Sequence, residues 1–242
     1  MSQRISFESS QEIGAFVRLT NMYALVAATD NTSFVSAFEE ALNIPVIQTT
    51  INGIRMTGTQ SIGNSRGLLV SSSTTDQELQ HIRNSLPDKI RVRRIEERLN
   101  ALGNIILAND NSALIHPDVS PETVELVSDV LGVDLFKYAL AENGLVGSYA
   151  VMNNTSMLVS SKTTPEEVSE LSDLLNVKVL PGTVNKGSDV IGSGVLINDF
   201  ACFVGSKTTS TEIVVIDGLF KTTPTAVLGD DEKRAWIDAL HT

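Results

Sequence analysis

The chain has a single cysteine, Cys202, so no disulfide can form within it, and that usage fits a reducing compartment. It has no apolar run of the length that a membrane-spanning helix needs, about 18 residues or more. The first ten residues, MSQRISFESS, lack the apolar stretch of a signal peptide. The expectation is an intracellular protein with no membrane partner. Cations are also in deficit. Eighteen Lys and Arg face 29 Asp and Glu, a net charge of −11, which argues against DNA or any partner gripped through many phosphates. An acidic surface instead favours basic protein partners. The one basic cluster, Lys89 to Arg94, alternates cations with Ile90 and Val92 and is read as the wet face of a strand.

Histidine is equally sparse. His81, His116 and His241 occupy unrelated positions, so with one cysteine there is no metal-ligand spacing. Gly187, Gly192 and Gly194 match no GxxxxGK[ST] phosphate loop. No cofactor or metal is expected.

What the chain does have is a fivefold internal repeat. Glycines stand at Gly14, Gly58, Gly103, Gly147 and Gly192, spaced by 44 or 45 residues. Six residues after each comes a small polar turn former: Thr20, Asn64, Asn109, Asn153, Asn198. Eleven residues further on comes a helix N-cap type: Asn31, Thr75, Ser120, Thr164, Thr209. Between these marks the apolar triplets beginning at Ala24, Leu68, Ala113, Met157 and Cys202 fall in one register. Such a phase decides the architecture before any motif is read.

The fourth copy shows the local physics. Leu145 to Met152 is apolar and aromatic and is read as a buried strand, Asn153 to Ser156 as a turn, and Met157 to Val159 as the returning strand. Thr164-Pro165-Glu166-Glu167 carries a cap, a proline suited to the first helical position, and the glutamate of a capping box, repeated at Glu78 and Glu212. Val168, Leu171 and Leu175 follow the cap by 4, 7 and 11 residues and mark one helical face. A third strand, Val177 to Leu180, completes the unit. Propeller blades have no helix and helical solenoids have no strands, so neither fits. An open stack would expose the apolar triplets of the first and fifth copies. The predicted architecture is α/β, a closed ring of five hairpin–helix–strand units about a pseudo-fivefold axis. The units run about 5–48, 49–93, 94–138, 139–182 and 183–223 in a single domain 1–223.

Four segments carry a resemblance. Thr74 to Asp88 (TTDQELQHIRNSLPD), Arg94 to Asn104, Leu145 to Tyr149 and Pro181 to Ser188 resemble, in the same order, segments of the translation initiation factor 6 family, which has the pentein fold. The match spans residues 3 to 221 or so. The resemblance implies a protein with no chemistry of its own that binds the large ribosomal subunit and blocks premature joining of the small one. It further implies travel with the pre-large subunit from nucleolus to cytoplasm and a role in ribosome biogenesis. The implied partners are basic ribosomal proteins on the subunit-joining face, near the sarcin–ricin loop, together with a release GTPase and its cofactor. The protein itself is expected to be a monomer. Family tails are mobile and often carry a phosphorylatable serine. Residues 224–242 here offer only Thr225 and Thr242 as hydroxyls, and Trp236, Ile237 and Leu240 form a short amphipathic stretch.

Pentein folds also include guanidine-modifying hydrolases and amidinotransferases with a cysteine nucleophile, so the alternative is an enzyme using Cys202. Its register with Ala24, Leu68, Ala113 and Met157 makes it a packing residue instead. The hairpin tips are the candidate ribosome-binding residues, because a ring gathers them on one face: Asn64, Arg66, Asn109, Asp110, Asn111, Asn153 and Asn198. Turn geometry alone also explains Asn and Asp there. Three consecutive Asx residues at 109–111 exceed what a tight turn requires, and Arg66 is placed to meet an acidic group or a carbonyl.

Overall fold

Each of the five capped helices forms where its signal lies. In the computed structural model, which describes residues 1–222, they are Thr32–Ala41, Asp76–Ser85, Pro121–Leu131, Pro165–Leu175 and Ser210–Leu219. Asn31, Thr75, Ser120, Thr164 and Thr209 all cap through their side chains, and Thr75, Thr164 and Thr209 form complete capping boxes with Glu78, Glu167 and Glu212. Seven residues past each cap, Phe38, Ile82, Val127, Leu171 and Ile216 are fully buried. The residues at four past the cap are less covered. Val35 and Leu79 are buried, but Val124, Val168 and Ile213 keep partial exposure at the helix flank.

There are five separate three-stranded sheets, and in the first four the helix crosses between the second and third strands. In the fourth, Ala150–Met152 runs antiparallel to Ser156–Ser160, which pairs in parallel with Lys178–Gly182. A parallel pair needs a crossover, and the helix is that crossover. The predicted strand over Leu145 to Met152 is corrected here: Val146–Tyr149 is one helical turn and only Ala150–Met152 is strand. Equivalent turns are Thr57–Gln60, Leu102–Ile105, Ile191–Gly194 and the shorter 3-10 turn Ile13–Ala15. The turn brings the glycine backbone up against the neighbouring unit, which an extended strand would not do.

The fifth unit departs from the repeat boundaries. Its third strand is Gln3–Ile5 from the other end of the chain, pairing in parallel with Cys202–Gly205. The ring is therefore closed by a strand the first unit lends to the last. A second closure lies at the axis. A Cβ on Gly58 would overlap the Gly14 carbonyl oxygen, one on Gly103 that of Gly58, and so on through Gly147 and Gly192 back to Gly14. Five contacts returning to their start define a closed ring whose inner turn has room only for glycine. Five apolar clusters fill the seams between units; Phe7, Phe34, Phe38 and Phe203 occupy the seam where first and fifth units meet. The tail from residue 223 lies outside the described residues.

Candidate interaction site at the hairpin tips

The hairpin turns converge at one end of the axis, and Asn64, Asn109 and Asn198 there each do two jobs. Asn109 Oδ1 accepts the amides of Asn111 and Ser112 at 2.8 Å, closing its own turn. Its Nδ2 donates to the Asn153 carbonyl of the next unit at 3.1 Å. Asn64 likewise accepts from Arg66 and Gly67 and donates to the Asn109 carbonyl at 3.1 Å, and Asn198 donates to the Thr20 carbonyl at 2.9 Å. Asn153 accepts from Thr155 and Ser156. The first unit has Thr20 at this position, which closes the turn with its hydroxyl but has no amide to donate outward. Tyr23, fully buried, supplies the missing link by donating its hydroxyl to the Gly67 carbonyl at 2.9 Å.

A second layer follows one residue later. The amide of Ser65 donates to Asp110 Oδ1 at 2.8 Å, that of Asp110 to Asn154 Oδ1 at 2.9 Å, that of Asn154 to Asp199 Oδ1 at 3.1 Å, and that of Asp199 to Asn21 Oδ1 at 3.0 Å. Across the axis, the Nδ2 groups of Asn21 and Asn154 each donate to both carboxylates, Asp110 and Asp199, at 2.7–3.0 Å. Two carboxylates sharing two amides plug this end of the bore. Burial pushes the Asp199 carboxyl up from its ordinary value, and the Asp110 charge adds to this; donation from Asn154 and Asn21 opposes both.

The structure thus brings all the predicted tip residues together, but it divides them. Asn64, Asn109, Asp110, Asn153 and Asn198 are buried, with side chains turned into the ring. Arg66 and Asn111 are exposed at its outer edge. Arg66 Nη1 donates to the carbonyls of Asp110 and Gly132, so its partners are carbonyls and not an acid. Thr155 joins them as an exposed tip residue. Turn chemistry foretold the Oδ1 bonds; the outward Nδ2 bonds and the contribution of Asn21 and Tyr23 depend on which units are neighbours.

Cys202 lies elsewhere. It sits in the middle strand of the fifth sheet opposite Ile197, is 3% exposed and does not line the axial cavity. Burial pushes its thiol up to about 12. His81 bonds the Gln48 carbonyl and His116 the Asp118 amide. The cysteine–histidine pair that the enzymatic reading requires is not formed among the described residues. Within them, no helix is long and apolar enough to cross a membrane.

The basic cluster is placed as read only from Arg91 onward: Arg91–Ile95 is a strand with Arg91 and Arg93 exposed and Val92 buried, while Lys89 and Ile90 lie in the turn before it. Arg91 pairs with Asp129 and Arg94 with Asp76, both at the surface.

The model of the eIF-6 family matches residues 2–219. Similar proteins include eukaryotic translation initiation factor 6 of Saccharomyces cerevisiae, 51% identical over 223 residues and 91% of each chain. That of Drosophila melanogaster is 50% identical over the same length and shares. That of Schizosaccharomyces pombe is 49% identical over 235 residues, covering 95% of this chain and 96% of the relative. Among solved structures, an amidinotransferase from Microseira wollei aligns with a TM-score of 0.48 at 13% identity, over 78% of this chain and 70% of that one.

Proposed function

The chain belongs to the eIF-6 family of translation initiation factors, and from that premise we propose that it binds the large ribosomal subunit and blocks joining of the small one. The observation that carries this reading is identity near one half, sustained along nearly the whole chain with relatives of that name. The mechanism is steric. A factor of this kind needs only to occupy a surface the small subunit must use, so affinity and placement suffice and no reacting group is required. The protein acts as a monomer in the biogenesis of the pre-large subunit. It moves between nucleolus, nucleus and cytoplasm, and a GTPase with its cofactor removes it at the end.

The proposed contact face is the hairpin-tip end. The net charge of −11 favours basic ribosomal proteins near the sarcin–ricin loop as neighbours. Asn64, Asn109, Asp110, Asn153 and Asn198 form the rigid floor of the face, and Arg66 and Asn111 stand on its rim. A stable interface of this class buries about 1,200–2,000 Å² in total. A rigid, pre-formed floor keeps the ordering cost of binding low.

A subunit-mixing assay tests the proposal. Purified large and small subunits are combined with and without a molar excess of the protein, and the joined particle is measured. The expected result is loss of joining in proportion to large subunit occupied; joining that proceeds undiminished at saturating protein refutes it.

A further inference from the structure

Four residues after each ring glycine the chain places Ile62, Leu107, Val151 and Leu196, all buried aliphatics, but in the first unit it places Arg18. Arg18 lies in the strand Val17–Leu19 and, with Leu107, Val151 and Leu196, lines an axial cavity of about 230 Å³. The tip cluster plugs one end of the axis. The cavity reaches the other end, where the exposed Glu12, Met56 and Val190 also line it.

Arg18 Nε donates to the Ser61 carbonyl at 3.1 Å and Nη2 to the Gly58 carbonyl at 2.5 Å. Those bonds use one edge of the guanidinium. The end-on edge, Nη1 with the second proton of Nη2, has no acceptor among the described residues, and no described carboxylate pairs with Arg18. Burial draws this guanidinium down to about 10, so it remains a cation at neutral pH. Arg18 keeps partial exposure where it lines the cavity, and no described carboxylate stands beside it to offset the hydration that burial removes. Where one repeat breaks the pattern that its four siblings keep, a functional site is the expected reason.

The free edge is a two-donor fork, the shape that fits a carboxylate's two oxygens. Leu107, Val151 and Leu196 give the cavity an aliphatic wall, and Glu12, Met56 and Val190 stand at its mouth. We propose that the axial cavity binds a small organic monoanion, a carboxylate on a short aliphatic body, with its oxygens on the end-on edge of Arg18 and its body against Leu107, Val151 and Leu196. Glu12 at the mouth and the net charge of −11 select against multiply charged anions.

The test is an NMR titration of the full chain with butyrate, compared with butyramide as its neutral isostere. Butyrate is expected to give saturable shifts at the amides of Gly14, Gly58, Gly103, Gly147 and Gly192, with an affinity about tenfold or more above that of butyramide. Arg18→Met should reduce butyrate to the butyramide level, and Arg18→Lys, which keeps the charge and loses the fork, should fall between. Equal responses to the two compounds, or no response to butyrate, overturn the proposal. The comparison of ligands is made on the unaltered protein, so it decides the matter even where Arg18→Met does not fold.

Discussion

Gly14 and Gly192 touch so closely that a Cβ on the first would overlap the carbonyl oxygen of the second. One belongs to the first unit and the other to the fifth, so this contact and the pairing of Gln3–Ile5 with Cys202–Gly205 join the ends of the ring. Stability is therefore expected to depend on contacts between units as much as on any one unit's core.

Gly58→Ala tests this at the axis, because its methyl would meet the carbonyl oxygens of Gly14 and Val17, which are backbone and cannot swing aside. The expected loss is about 1–3 kcal/mol, seen as a fall of several degrees in thermal midpoint at about 2–4 °C per kcal/mol. Gly218 is the control. It lies within the helix Ser210–Leu219 with nothing near its Cβ position, so Gly218→Ala should hold or raise the midpoint. Equal effects of the two substitutions would remove the axial ring as a source of stability.

The tips separate folding from binding. Asn109→Ala removes one outward donor and leaves the amide of the buried Ser112, and that of Asn111, without their side-chain acceptor. A cost of about 1–3 kcal/mol is expected for a buried group left unpaired. Because Asn109 and Asp110 are both buried, substituting either one perturbs the fold as well as the face it supports. Asn111→Lys, at an exposed position, should leave the thermal midpoint within about 1–2 °C and weaken large-subunit binding by introducing a cation toward basic neighbours. A binding curve unchanged by Asn111→Lys would move the contact face away from the tips.

Acid should loosen the helix starts. Burial opposes ionisation of Glu78, but donation from Gly53, Thr50 and Thr75 outweighs it and lowers the carboxyl to about 2; Glu212 is held at about 2 in the same way by Thr209, Gly187 and Thr183. Both folded values lie below the unfolded ones, so the stabilisation is fully present above about pH 4.5 and is lost as pH falls toward 2. Glu78→Gln with Glu212→Gln should lower the denaturation midpoint near neutrality, each cap being worth about 1 kcal/mol. The gap from wild type should close on titration from about pH 5 to pH 2. A gap that stays constant with pH would assign the effect to packing.

Cys202 is expected to be inert in the native protein. A thiol raised to about 12 and 3% exposed has almost no thiolate at neutral pH. Labelling by an aromatic disulfide reagent should proceed only as fast as unfolding, and complete reaction within seconds under native conditions would contradict this.

The repeat was legible because its marks are local. An Asx turn and a capping Thr, Ser or Asn each act within a few residues, so their phase survives in the sequence, and the glycines recur in step with them. The reading of Leu145–Met152 as one strand failed because a hydrophobic run does not tell a helical turn from a strand when the reason for the turn, the contact of Gly147 with Gly103, lies in another unit. The loan of Gln3–Ile5 to the fifth sheet was hidden for the same reason. At the tips, the turn role of Asn109 was visible and its bond to Asn153 was not. Arg18 left a signal that could have been used: it is the one cation at a position where the other four repeats carry Ile62, Leu107, Val151 and Leu196.

The most direct test of the account is sedimentation of the purified protein through a sucrose gradient with large subunits, with small subunits, and with each absent. The account predicts that the protein travels with the large subunit, and stays at the top of the gradient with the small subunit or alone. Failure to travel with the large subunit, or equal travel with both, would contradict it.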